Sequence, residues 1–167
     1  MADGNDWEGR VAAAWAGFDE CDERSFPALM DRLAAELPPD DPRGLFERAS
    51  ARDATDREAE AIPLYRRALA RGLPADRRRR AVIQLASSLR NAGEPEEATE
   101  LLTAELSGPS GELDDAVRAF LALALTDSGR EREAVSVALI ALAPHLTGYE
   151  RAVGSYARLL LPAGDSG

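Results

Sequence analysis

The sequence predicts an all-α fold, an array of antiparallel helix pairs with about nine helices in 167 residues. Three observations carry that expectation. Residues 81–106, AVIQLASSLRNAGEPEEATELLTAEL, read as two amphipathic helices joined by a tight turn. The unit recurs, with Ala61, Ala98 and Ala134 spaced 37 and then 36 residues apart. Hydrophobic residues make up 45 % of the chain but aromatics only 5 %, so the core is built mostly from Ala and Leu, as close helix packing favours.

The central unit sets the pattern. Val82, Leu85, Ala86 and Leu89 lie on one stripe of a helix. Gly93 ends it, because glycine takes the left-handed conformation after a helix without a Cβ clash. Pro95 suits the first turn of the next helix, where a missing N–H costs nothing, and Glu96 and Glu97 complement the positive end of its dipole. Ala98, Leu101, Leu102 and Leu106 then form the second stripe. A hairpin of this kind cannot bury its apolar faces alone and needs neighbours of the same kind.

In chain order, Met1 to Gly4 read as loose. Asn5 with Glu8 makes a capping-box pattern. A helix follows with Trp7, Val11, Ala14, Trp15 and Phe18 on one face. That face either caps the N-terminal end of the array, as an open array end requires, or stays exposed as an aromatic patch for a partner. Ser25 is placed to cap a second helix through Leu37, burying Phe26, Leu29, Met30 and Leu33. The run Pro38, Pro39, Asp40, Asp41, Pro42 is a stiff break, with Asp41 as N-cap and Pro42 in the first turn. One domain over 1–167 results: a helix pair at 5–37, three repeats at 42–144 and a last helix at 147–161.

The first repeat is expected over 42–53 and 56–71, with Thr55 and Glu58 as a capping box. Pro63 falls inside the second of these helices, where it is expected to remove a hydrogen bond and kink the helix unless the helix begins late, nearer Ala59. The central repeat spans 75–91 and 94–106, and the third spans 112–128 and 131–142. The Ser-Gly-Pro-Ser-Gly stretch at 107–111 is the turn between them. Thr147 and Glu150 form a capping box for a final helix carrying Tyr149, Ala152, Val153, Tyr156, Leu159 and Leu160. From Pro162 onward a frayed tail is expected.

These residues resemble the tetratricopeptide repeat pattern. Ala86 and Ala122 match its small position in the first helix of a repeat, and Ala61, Ala98 and Ala134 match the counterpart in the second. Tyr65 and Leu102 match the large residue four positions on, Ala68 and Ala141 the next small one, and Pro74, Pro109 and Pro144 the closing proline. Glu105 and Ala138 depart from the pattern, and the aromatic near the start of the first helix is missing throughout. EAIPLYRRALARGLP and QLASSLRNAGEPEEA are similar to the bacterial tetratricopeptide repeat group 5 family, and the resemblance covers about 42–144. It implies a right-handed superhelical array.

Charge and composition bound the function. A net charge of −10 disfavours nonspecific nucleic-acid and anionic-membrane binding, both of which need positive surfaces. All 20 basic residues are Arg, and with abundant Ala, Gly and Pro this points to a high-GC bacterium. A single Cys21 excludes an intrachain disulfide framework. No charged-then-apolar leader opens the chain and no run of about 18 apolar residues occurs, so a cytoplasmic protein is expected.

Catalytic signals are weak. His145 is the only histidine and has no nucleophile motif to serve. Cys21 sits among Glu20, Asp22 and Glu23, which oppose thiolate formation. The acidic pairs fall at helix starts, where the dipole accounts for them. No phosphate-cradling glycine motif is present, and neither a cofactor nor a metal is implied. The four arginines at 77–80 either pair with acidic neighbours or form a small anion-binding edge.

The resemblance implies a concave groove lined by the first helix of each repeat. By alignment it carries Arg43, Phe46 and Ser50, then Arg80, Ile83, Ser87, Arg90 and Asn91, with Asp53, Ala119, Leu123 and Thr126 on the same face. The Lys, Asn and Arg of the family's clamp for a terminal carboxylate are replaced by Phe46, Ser50, Gln84, Ala116 and Phe120. A noncatalytic protein-interaction module is expected, holding a peptide or helix of a protein partner. The alternative is a self-associating scaffold that dimerises through a terminal helix.

Overall fold

The computed structural model describes residues 4–22 and 24–161, with Gly4 and Asn5 described by backbone alone. The looseness of the first three residues and the tail from Pro162 lie outside the described residues, whereas Gly4, expected to be loose, and Asn5, expected as the N-cap, are already within the first helix. Within them are nine α-helices, two 3₁₀ turns and no strand. The helices are α1 (Gly4–Ala16), α2 (Phe26–Ala34), α3 (Pro42–Asp53), α4 (Glu58–Ala70), α5 (Ala75–Asn91), α6 (Pro95–Leu106), α7 (Asp114–Asp127), α8 (Glu131–Leu142) and α9 (Glu150–Arg158). The chain divides into two compact units, Met1–Ser88 and Leu89–Gly167, and the division falls inside α5.

In the first unit, Trp7, Val11, Phe26, Met30 and Leu33 form a core with Ala51, and Trp15, Phe18, Leu29 and Leu37 pack against it. Trp7 is 2 % exposed and its Nε1 donates to Leu33 O at 2.8 Å, so the polar atom of the ring is satisfied inside the core. Trp15, Phe18 and Phe26 make a tilted and edge-to-face trio with centroids 4.7–5.8 Å apart. The aromatic face of α1 is therefore an internal packing face, and the exposed-patch alternative does not hold for it. α2 crosses α3 closely at Gly44, where an added Cβ would stand 3.4 Å from Ala34 Cβ.

α3 and α4 form the first repeat, with Ala49, Ala61, Tyr65 and Ala68 fully buried. Asp41 caps α3 as expected, accepting from Arg43 N at 2.9 Å, and Pro42 opens the helix. Pro63 lies within α4. It and Ala59, whose carbonyl would have been its partner, are both exposed, so water meets the unpaired group.

Two expected caps in this unit are different. The Ser25 hydroxyl donates back to Asp22 O at 2.8 Å rather than capping α2, which ends at Ala34 and not Leu37. The Thr55 hydroxyl donates to Ala51 O at 2.9 Å and so closes α3, leaving α4 to start at Glu58 with no side-chain cap. Both hydroxyls chose a nearer carbonyl over a forward N–H, the local competition open to short polar side chains.

In the second unit α6 packs on α7, α7 on α8 and α8 on α9. α7 starts at Asp114, two residues later than expected. The Thr147 capping box is absent. Gly148 (φ 89°) and Tyr149 (φ 64°) are both left-handed and turn the chain into α9, which has no side-chain cap. Ser136 Oγ donates to Ala157 O at 2.7 Å and fastens α9 to α8. Ala138, unlike its repeat counterparts Tyr65 and Leu102, is exposed.

The three repeats share one turn. Glu94 N bonds Leu89 O at 2.9 Å and Gly93 N bonds Arg90 O at 3.0 Å; Arg130 N bonds Leu125 O at 2.8 Å and Gly129 N bonds Thr126 O at 3.1 Å. This pair of bonds around a left-handed residue is the Schellman closure. Arg57 N to Arg52 O at 2.9 Å and Asp56 N to Asp53 O at 3.3 Å repeat it with an aspartate at φ 54°. The following residues Arg57, Glu94 and Arg130 have φ of −119°, −114° and −112°, the same backbone three times.

Candidate functional site

The residues predicted to line the groove fall into two classes. Phe46 and Ser50 of α3 and Ile83 of α5 are buried. The Phe46 ring lies tilted against Tyr65 with centroids 6.2 Å apart, and Ser50 Oγ accepts from Tyr65 OH at 3.3 Å. Arg43 is half-buried. Its guanidinium bonds Asp41 at 2.9 Å and lies 5.6 Å from the Trp7 ring centre. Arg80 and Asn91 are exposed and Ser87 is half-buried.

Arg90, at the end of α5, donates from Nε to Asp127 Oδ2 at 2.6 Å. Asp127 is the last residue of α7, whose buried face is Val117, Leu121, Ala124 and Leu125. Off that face stand Ala119, Leu123 and Thr126, all exposed, with Leu123 47 % exposed. The Thr126 hydroxyl is occupied by Ala122 O at 2.9 Å. What α7 offers is a small apolar surface ending at a charged pair, suited to holding a side chain by contact rather than to moving a proton.

The arginines at 77–80 are mostly engaged. Arg77 bonds Glu8 and lies 3.5 Å from Glu47. Arg78 and Arg79 also have partners, whereas Arg80 has none among the described residues. Glu47 was not legible as a functional or structural acid. It is 5 % exposed, and Trp15 Nε1 donates to it at 2.8 Å. Burial pushes its carboxyl up from the ordinary range, and the hydrogen bonds from Trp15 and Arg77 only partly offset this. The one signal for it was the Trp15 indole on the apolar face of α1, which needs an acceptor.

A second interior cluster joins Asp53 to Ser88 Oγ at 2.6 Å. Burial also pushes the Asp53 carboxyl and the Tyr65 phenol up. Both clusters are internal polar satisfaction. Cys21 is exposed, and His145 Nε2 meets Asp115 Oδ2 at 2.9 Å. Among the described residues no group of three or more His, Cys, Asp or Glu is placed to hold a metal ion, and no helix is long and apolar enough to cross a membrane.

A family model described as tetratrico peptide repeat matches residues 42–160. No curated protein and no solved structure matches the chain.

Proposed function

Because the chain belongs to the tetratricopeptide repeat family, group 5, whose repeats generally mediate protein–protein contact, we propose that it is a noncatalytic module that holds a peptide or helix of a protein partner. The observation that carries this reading is Leu123, an apolar side chain held in the open on α7 while the other large apolar residues on its far side are buried. Ala119 and Thr126 extend that surface, and Arg90 and Asn91 at the end of α5 supply hydrogen-bonding contacts. Arg43, Phe46, Ser50 and Ile83 support the first helices from within.

The test is selection of random displayed peptides on the immobilised protein, followed by fluorescence anisotropy. Leu123→Glu and Arg90→Gln are each expected to weaken the selected peptides by about tenfold or more. Selected peptides that bind both variants as well as the parent would overturn the assignment to this face. Arg90→Glu is the wrong probe, since it sets a second carboxylate against Asp127.

A second reading, self-association through the last helix, is favoured by one observation. Tyr149, Tyr156 and Leu159 are 83 %, 69 % and 74 % exposed and fall within one arc of α9 and its flanks. Light scattering from low micromolar concentration upward tests it. A mass that doubles with concentration in the parent but not in Tyr156→Glu supports it, and a constant monomer mass removes it.

A further inference from the structure

We propose that the cleft bounded by α7, the Ala143–His145 turn and α9 is a second peptide contact, binding a carboxylate side chain next to an apolar residue. The cleft holds about 370 Å³ and lies wholly within the second unit. Its walls bring Arg118 of α7 together with Arg151 and Arg158 of α9. Arg118 is already committed to Asp115 at 3.1 Å. Arg151 and Arg158 have no hydrogen-bond or ion-pair partner among the described residues. They are seven residues apart, two helical turns, and so point the same way.

The placement of Arg158 is specific. A methyl group added at Gly154 would stand 3.7 Å from Arg158 Nη2 and 3.9 Å from Ala143 Cβ. The guanidinium thus lies back along α9 over a glycine, beside the apolar floor of Ile140, Ala143 and Pro144. A guanidinium pair over an apolar floor matches a carboxylate with a hydrocarbon neighbour, since planar guanidinium takes carboxylate in two parallel bonds. Charge selects the monoanion. Asp115 and Glu150 also line the cleft, and the protein carries −10 overall, which penalises a phosphate dianion more than a carboxylate.

The peptide nature of the ligand rests on the protein-interaction reading; the carboxylate rests on the cleft itself. The experiment is an amide-resolved NMR titration of the whole chain with N-acetyl-leucyl-glutamate amide, the glutamine analogue and the phosphoserine analogue. Saturable shifts centred on Ala143, Arg151 and Gly154 are expected with the glutamate compound. About tenfold weaker binding is expected with glutamine, and a comparable loss in the Arg151→Gln/Arg158→Gln variant. Absence of saturation at these amides, equal binding of the glutamine compound, or tighter binding of phosphoserine would each overturn the proposal. Shifts confined to Leu123 and its neighbours would overturn this cleft while leaving the α7 surface standing.

Discussion

Trp15 Nε1 donates a 2.8 Å hydrogen bond to Glu47 Oε2, tying α1 to the buried acid of α3. The carboxylate also faces Arg77 at 3.5 Å, so a single side chain of α3 collects contacts from two other helices, α1 and α5. Among the described residues of the first unit it is the buried acid, 5 % exposed.

Stability should depend on pH through Glu47 in a defined direction. A carboxyl whose folded pKa is raised favours the folded state fully below its unfolded value of about 4.3 and loses that contribution as pH rises through the folded value. Glu47→Gln keeps an acceptor for Trp15 but cannot ionise. Its urea stability relative to the parent should therefore climb as pH is raised from about 4.3 through the folded value; a flat or falling difference would count against the assignment. Glu47→Ala, which strands the indole N–H, should cost about 1–3 kcal/mol at any pH in that range.

The turn residues give a second test. Asp56 occupies the left-handed position that Gly93 and Gly129 hold in the other repeats. Asp56→Gly should raise the stability of the protein by about 0.5–1 kcal/mol by relieving the Cβ clash, and Gly93→Ala should lower it by about 1 kcal/mol. Thermal melts of the two variants must move in opposite directions.

The large-residue position between repeats predicts a graded series. Tyr65 and Leu102 are fully buried and Ala138 is exposed. Leu102→Ala should cost about 2–5 kcal/mol and Tyr65→Ala about 3–5, because each opens a cavity. Ala138→Leu should stay within about 0.5 kcal/mol of the parent. A destabilisation at 138 as large as that at 102 would show the third repeat to be closed there.

Arg90 should be usable as a binding probe. Its partner Asp127 has a side chain 41 % exposed, and pairs of that kind contribute only about 0.2–1 kcal/mol. Arg90→Gln should therefore lower urea stability by less than about 1 kcal/mol, and its effect on a bound peptide can then be read as binding.

Particular residues explain what could be read from the chain alone. Gly93, Pro95 and Gly129 announce their turns because glycine and proline restrict the backbone in ways few other residues can, and the Ala61, Ala98, Ala134 spacing announces the repeat. Asp56 performs the same reversal silently, since aspartate is far more common elsewhere. Thr55 with Glu58 and Thr147 with Glu150 imitate helix starts, yet the threonine at 55 finishes the preceding helix and Tyr149 begins the following one. Glu47 lies in an Arg-rich helix and looks solvent-facing; only the tertiary approach of Trp15 and Arg77 makes it interior. The burial of Phe46, Ser50 and Ile83, against the openness of Leu123, is likewise set by neighbouring helices and has no local signal.

The shared reversal at 56, 93 and 129 also bears on how such a chain changes over generations. Each hairpin carries its own means of turning, encoded within about six adjacent residues, so a tandem duplication of one 36- or 37-residue segment brings a complete fold-back with it. Whole-repeat gain or loss is then a mild genetic event. A short in-frame deletion across 89–94 is a severe one, because it removes the left-handed residue and both backbone bonds that close α5.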